Sequence, residues 1–495
     1  RMTRREWLAG SLIGAAMALP ASQALGTWLQ QAAEPIDPQL PSRRPNILLI
    51  IADDLGYPHT GADGMTVVPT PHIDRLANQG ARFTRAFVPS PSCSPSRASI
   101  LTGQTPNRLG MGGVLSGPLD DQHPRYPDLL KAAGYHVGST GKGYGPAWLD
   151  KDKLVKTGPQ FPSFAEFLKQ RPDGAPFCFW FGSQNPHRPF LQKTTTERGV
   201  KPEDVPVPPF LVDTPETRRD LAHYYAEIAE FDDEIGQLVA AVTEIGEAEN
   251  TIIVICSDNG MPFPRAKATL YDAGAQSPLI VHWPAHVAPG QVVSDFVNLA
   301  DLAPTFLQAA GVEVPNQMNA ASILPLMIPG HNDATIPPGA SVAPARDAVF
   351  LVREQHVPHN DKGGYSSRAI RTEEHLYVLN LTPERWPAGP PDQKNDQFPN
   401  GFPDVDEANA PDNIRQRGGG AKEAIVRDFE HGGRLGMLAL GKRPAEELYL
   451  LKDDPHQMHN VADDPRYASI KEQLGARLRA WMNDSNDGGV VAVAP

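Results

Sequence analysis

Uninterrupted apolar runs, rather than alternating ones, mark the strands of this chain. Ile47–Ile51 in "NILLIIADDLG" is such a run, of strand length and closed by Asp53 and Asp54. Continuous apolarity predicts a strand covered on both faces, as in a sheet between helices. "NTIIVICSDNG" repeats the pattern and ends in Asp258 and Asn259. "PFCFWFGSQNPHRPF" reads as another buried strand, running into a loop that carries His187. Helical patterns lie between them. "HIDRLANQGARFTRAF" and "PDLLKAAGYHVGSTGK" each read as helix, glycine stop and strand, the second strand ending at Lys142. Thr214 is placed to cap a long helix with Pro215 at its first position. Leu221, Tyr225, Ile228, Ile235, Leu238, Val242 and Ile245 form its apolar stripe. Strands alternating with helices predict an α/β fold, a large sheet sandwiched by helices.

The texture changes after about residue 315. Prolines and glycines crowd 324–345, and short strands are predicted near Val349–Val352, Ser367–Arg371 and Leu376–Leu381. Residues 383–420 form a long irregular excursion, a kind of segment that is usually functional or disordered. "EELYLLKDDP" and a last helix with Ile470, Leu474, Leu478 and Trp481 on one face complete a smaller C-terminal α+β domain. The expected division is a catalytic domain over 45–345 and this domain over 346–495, contributing to the substrate cleft. At the other end, "TRREWLAGSLIGAAMALPASQA" pairs Arg4 and Arg5 ahead of an apolar stretch and small residues. That is the pattern of a twin-arginine signal peptide over 1–24, with 25–44 as a leader. It implies the twin-arginine export machinery as a partner and a periplasmic or secreted protein.

Composition narrows the functions. A net charge of -13 argues against nucleic acid, which needs a basic surface. No later apolar run reaches membrane-spanning length. Three cysteines, Cys93, Cys178 and Cys256, give no disulfide framework. Cys178 and Cys256 fall inside apolar strands and read as buried thiols.

If the strand ends line one sheet edge, Asp53, Asp54, Asp258 and Asn259 converge there. Oxygen-only donors suit hard cations, calcium or magnesium, and not zinc. Arg97, Lys142, His187 and Lys267 would add a pocket for a multiply anionic group such as sulfate or phosphate. Cys93, in "PSCSPSRASILTGQ", fits poorly among these, because a soft sulfur is a poor partner for a hard cation.

The string Cys93-Ser94-Pro95-Ser96-Arg97 resembles the maturation signal of the type I sulfatases of the alkaline-phosphatase superfamily. "ADDLG", "TPHIDRLANQGARFTRAF", "GYHVGSTGK", "NPHRPF", "SDNG", "KATLYDAG" and "ELYLLKDDP" extend the likeness from about residue 45 to 483. "SDNGMPFP", "VPPFLVDTPETRRDLAHYYAEI" and "GYSSRAIR" are most similar to the sulfamidases, or heparan N-sulfatases, and their bacterial relatives. The resemblance implies a large mixed sheet sandwiched by helices and a cysteine oxidised to formylglycine by a formylglycine-generating or radical maturation enzyme. The aldehyde hydrate is then the nucleophile. One hydrate oxygen attacks sulfur, and the other reforms the aldehyde and ejects sulfate. Asp53, Asp54, Asp258, Asn259 and the modified Cys93 correspond to the calcium ligands, with magnesium the second choice. Arg97 corresponds to the residue holding the hydrate, Lys142 and Lys267 to the sulfate clamp, and His187, with Lys267, to the leaving-group acid. The chain departs from the family at Tyr144, where members usually carry the histidine thought to take the hydrate's proton; tyrosine is a poor base near neutrality. Sulfamidases also have arginine at the position of Lys267.

The expected substrate is a sulfated saccharide, as O-ester or N-sulfamate. "REQHVPHNDKGGYSSR" offers His356, His359 and Arg368 as sugar contacts. A phosphonate or phosphate monoester hydrolase of the same superfamily, and a non-catalytic sulfated-glycan-binding protein, remain alternatives.

Overall fold

The computed structural model describes residues 43–489, apart from 146–156, 331–335, 358–363, 395–399 and 407–419. The twin-arginine segment, the leader up to residue 42 and His359 lie outside the described residues. Among the described residues, thirteen strands run in chain order: β1 Asn46–Ala52, β2 Ala81–Phe83, β3 Ala86–Phe87, β4 His136–Gly141, β5 Phe177–Gly182, β6 Thr251–Ser257, β7 Leu279–His282, β8 Gln291–Val293, β9 Val297–Asn298, β10 Ala348–Arg353, β11 Ser367–Thr372, β12 His375–Asn380 and β13 Glu446–Leu450. Seven of them form one sheet in the order β4-β5-β1-β6-β7-β2-β8. It is mixed: β4, β5, β1 and β6 run parallel, and β7 is antiparallel to both β6 and β2.

The apolar run of β1 explains its central place. Ile47, Leu49 and Ile51 enter the core on one side of the sheet, and Leu48, Ile50 and Ala52 enter the core on the other. Each fully buried aliphatic side chain of this size contributes about 2 kcal/mol. The Cys93–Thr102 helix, buried at every residue, lies with the first core. The Pro215–Glu244 helix covers the second. Thr214 caps that helix by accepting from the Thr217 amide, with Pro215 first, as the sequence predicts. Its apolar stripe is buried through Val242, but Ile245 falls just past the last turn and is exposed.

The C-terminal strands form a separate antiparallel sheet, β10-β11-β12-β13. One face packs Phe350, Val352, Ile370 and Leu448 against Leu474, Leu478 and Trp481 of the last helix, Ala468–Asp484. The other face, through Val349, Leu351, Ala369 and Leu376, joins the main core. This arrangement brings the smaller sheet and its loops against the large one. Cys178 and Cys256 are buried free thiols within β5 and β6. Among the described residues, no helix is long and apolar enough to cross a membrane.

One buried histidine makes the fold sensitive to acid. The Nδ1 of His59 lies 3.0 Å from the Tyr224 hydroxyl, and burial lowers the His59 pKa from 6.5 to about 4. Below pH 6.5 the unfolded chain takes up a proton that the folded chain refuses, so stability falls as pH drops toward 4. A shift of this size corresponds to about 3 kcal/mol. Denaturant midpoints at pH 7 and pH 4.5 are expected to separate less in His59→Gln than in the parent; equal separations would contradict the assignment.

Candidate active site

Strand ends supply the floor of the site. Directly after β1, Asp53 donates its amide to the Asn185 carbonyl, and Asp54 takes a left-handed backbone with φ 73. Asp is among the few non-glycine residues that adopt this region readily. The Asp54 amide donates to Asp258 Oδ1 at 3.1 Å, which links the ends of β1 and β6. Asn259 Nδ2 donates to Asp54 Oδ1 at 2.7 Å and to the Gly260 carbonyl at 2.9 Å. Its Oδ1 is buried with no hydrogen-bond partner. A buried amide oxygen without a donor costs free energy unless something else satisfies it.

Cys93 opens the Cys93–Thr102 helix and faces this floor. Its Sγ lies 3.7 Å from Asp53 Oδ1 and 4.0 Å from Asp54 Oδ1. Burial pushes the thiol well above its usual pKa despite Lys142 and Lys267, so it is not a thiolate nucleophile. One turn along, Arg97 is fully buried. Its Nε donates to Asp258 Oδ2 at 2.7 Å, and its Nη1 donates to the Lys142 carbonyl at 2.9 Å and the Gly143 carbonyl at 3.3 Å. Gly182 lies against this Lys142 carbonyl so closely that a Cβ there would sit 1.7 Å from the oxygen.

Lysines meet the carboxylates from above. Lys142 Nζ is 2.6 Å from both oxygens of Asp53. Burial opposes ionisation of Asp53, but Lys142, His187, Arg97 and Lys267 outweigh it and hold its pKa far below the ordinary carboxylate range. Lys267 Nζ donates to Asp54 Oδ2 at 2.8 Å and to Asp406 Oδ2 at 3.2 Å. The Nδ1 of His187 donates to the Arg188 carbonyl, which leaves Nε2, 3.8 Å from Asp54 Oδ2, facing the site. Asp53, Asp54, Cys93 and His187 thus present ligand atoms within 4.8 Å of one another.

The structure therefore brings Asp53, Asp54, Cys93, Arg97, Lys142, His187, Asp258, Asn259 and Lys267 into one place. The sugar contacts expected from the C-terminal domain stand differently. Arg368 is not a surface group. It is fully buried, with Glu354 and Asp487 as its carboxylate partners, Glu354 and both Asp487 oxygens accepting from its guanidinium. It ties β11 to the chain end and has no open face for a sugar. Arg368→Met is accordingly expected to cost about 3 kcal/mol in denaturant stability, as a broken buried pair does. Activity per folded molecule should not change; a raised KM at unchanged stability would restore the substrate contact. His356 is also buried, 3% exposed, with Nδ1 2.8 Å from the Ser92 hydroxyl. Burial lowers its pKa to about 4. It supports the residue just before Cys93 and presents no open face. Tyr144 donates its hydroxyl to the Gly117 carbonyl, and burial raises its pKa, so it is no base for the site.

Two residues escaped the sequence reading, Asp404 and Asp406. Both belong to the irregular excursion after residue 383. Asp404 accepts from Arg353 at 2.8 Å and from the Val357 amide at 2.9 Å. Asp406 closes the far side of Lys267. Their only signal was the excursion itself, where "DVDEANAPD" offers four acids with no pattern to separate them.

The chain matches the sulfatase family profile over residues 45–157 and 147–312, more than half its length. The chain belongs to the sulfatase family. It is a hydrolase of sulfuric esters or sulfamates. This sulfatase is 29% identical over 497 residues to N-sulphoglucosamine sulphohydrolase of Homo sapiens, covering 91% of this chain and 92% of that protein. It is 27% identical to an ulvan-active sulfatase of Formosa agariphila, over 90% of this chain and 81% of the relative. Among solved structures, a protein in complex with its substrate D-glucosamine-2-N,6-O-disulfate matches with a TM-score of 0.61 at 20% identity, covering 90% and 99% of the two chains. The phosphonate monoester hydrolase of Agrobacterium radiobacter matches with a TM-score of 0.62 at 19% identity, covering 89% and 96%. These structures share the fold of the sulfatase.

Proposed function

We propose that this sulfatase is exported and removes sulfate, as O-ester or N-sulfamate, from a sulfated saccharide, using formylglycine made from Cys93 and a bound calcium ion. The observation that carries the reading is Cys93 Sγ beside two carboxylates, with Arg97, Lys142, Lys267 and His187 around them. Names of relatives that act on N-sulphoglucosamine and ulvan support the saccharide class.

The donor set fits a hard cation. Asp53, Asp54 and Asp258 offer carboxylate oxygens, and Asn259 offers the buried amide oxygen that lacks a partner. When present, the formylglycine hydrate supplies an oxygen nucleophile and the cation a Lewis acid. The chain's own residues do the rest. Arg97, fixed by Asp258 and two carbonyls, orients the side chain at position 93. Lys142 and Lys267 bind the sulfate oxygens and neutralise their charge. His187 passes a proton from Nε2 to the leaving atom. Dialysis against a calcium chelator is expected to abolish activity, and calcium should restore it more fully than magnesium. Full activity after chelation would contradict the metal assignment.

The paired Arg4 and Arg5 and the apolar stretch behind them support twin-arginine export, a route that carries folded proteins. Cys93 modification and folding could both precede that step. Lysine at both positions should trap the protein inside the cell, whereas undisturbed export would refute the route.

Parallel rates on 4-nitrophenyl sulfate and 4-nitrophenyl phosphate, with Cys93 modified, test the reaction. A sulfate preference is expected. A phosphate preference would replace this reading with a phosphate or phosphonate monoester hydrolase.

A further inference from the structure

We propose that Asp406 is a specificity-determining residue that tunes this site toward N-sulfamates, whose leaving atom departs as a cation. The inference rests on the sulfatase reading above and names the substrate class within it.

Lys267 Nζ is held between two carboxylates, Asp54 at 2.8 Å and Asp406 at 3.2 Å. Asp54 belongs to the fully buried floor and also lies 3.8 Å from His187 Nε2. The two groups assigned to the leaving atom, Lys267 and His187, therefore share one oxygen of Asp54. Asp406 stands beyond Lys267, with its side chain 25% exposed where that of Asp54 is 0%. It extends the cluster around Lys267 to a partly exposed position. A carboxylate there repels an anionic substrate, and Asp54 already supplies Lys267 with a counter-charge. Asp406 is also firmly placed. Two residues earlier, Asp404 is pinned by Arg353 and the Val357 amide, and Lys422 Nζ donates to the Phe402 and Val405 carbonyls at 3.1 and 2.8 Å.

The charge balance of the two reactions gives this carboxylate a use. For an O-ester, R–O–SO3⁻ + H2O gives R–OH + SO4²⁻ + H⁺. The S–O bond breaks, oxygen keeps the pair and takes one proton, and the alcohol leaves neutral. For a sulfamate, R–NH–SO3⁻ + H2O gives R–NH3⁺ + SO4²⁻. The S–N bond breaks, nitrogen keeps the pair and ends with two more protons, and the amine leaves as an ammonium ion. A fixed carboxylate stabilises the departing ammonium far more than a neutral hydroxyl. Asp406 thus favours cleavage of S–N over S–O bonds, while Lys267 serves both.

Asp406→Asn keeps the shape and removes the charge. The measurement is kcat/KM on N-sulfo-D-glucosamine and on 4-nitrophenyl sulfate, with one preparation of calcium-loaded, Cys93-modified enzyme, so that misfolded protein cancels in the ratio. The ratio of sulfamate to ester rates is expected to fall at least about tenfold, the scale of one hydrogen bond to a charged group. Calorimetry should show D-glucosamine, the ammonium-bearing product, binding about tenfold more weakly to the variant, with D-glucose binding equally to both. Rates that fall together with an unchanged ratio would reduce Asp406 to a positioning residue for Lys267 and overturn the proposal. A parent enzyme that cleaves the aryl sulfate but not N-sulfo-D-glucosamine would also overturn it, and would leave the sulfatase reading standing. A parent enzyme that prefers aryl phosphate would defeat that reading itself.

Discussion

Cys93→Ala is expected to lower kcat/KM on 4-nitrophenyl sulfate more than about 10³-fold, the scale on which loss of a nucleophile acts. The loss should come without a loss of fold. Cys93 contributes one sulfur atom at the start of a buried helix, and its Sγ contacts carboxylates at 3.7 and 4.0 Å. Those contacts are too long to carry much stability, and removing one buried heavy atom costs about 1 kcal/mol. Burial raises the pKa of the thiol, which disfavours a thiolate nucleophile and accords with the proposed conversion of Cys93. Melting temperature and steady-state rate on the same preparation check this. A variant within tenfold of the parent's rate would remove Cys93 from the chemistry.

Arg97→Met is expected to fail on both counts, fold and activity. The side chain is fully buried, and its Nε is the cationic partner of Asp258 at 2.7 Å. Burial works against the charge, but Asp258 and Asp53 keep the guanidinium protonated. Removing it leaves the buried Asp258 carboxylate with Lys142 no nearer than 4.0 Å. Uncompensated buried charges of this kind cost about 3–5 kcal/mol. The carbonyls of Lys142 and Gly143 lose their donor as well, and with it the loop that aims the Lys142 ammonium. Urea midpoints and aryl sulfate rates should fall together. A destabilisation below about 1 kcal/mol would contradict the buried-pair description.

The strands bearing the floor were legible because burial on both faces leaves a simple signature. β1 and β6 are buried at every position, and their apolar runs stop directly before Asp53 and one residue, Ser257, before Asp258. The convergence of those two ends follows from the sheet order, in which β1 and β6 are neighbours in parallel register. Arg97 and Lys142 were identified by the family resemblance more than by pattern, since a buried arginine and a partly exposed lysine look alike in a sequence. The C-terminal contacts were less legible. Arg368 sits in a strand whose alternation does not reveal that its partners are Glu354 and Asp487, 14 and 119 residues away. His356 and Asp406 take their roles from loops that meet Ser92 and Lys267 only in the folded molecule. Local propensity carries no information about such distant pairings, and one sequence offers no other. Tyr144 marks a different limit. The departure was visible in "GKGYGP", but only the fold shows its hydroxyl spent on the Gly117 carbonyl.

The most direct test is mass spectrometry of the peptide containing Cys93, from protein made in its native host. An aldehyde in place of the thiol is expected, trapped as a hydrazone by a hydrazine reagent. An unmodified thiol in enzyme that still releases sulfate would contradict it.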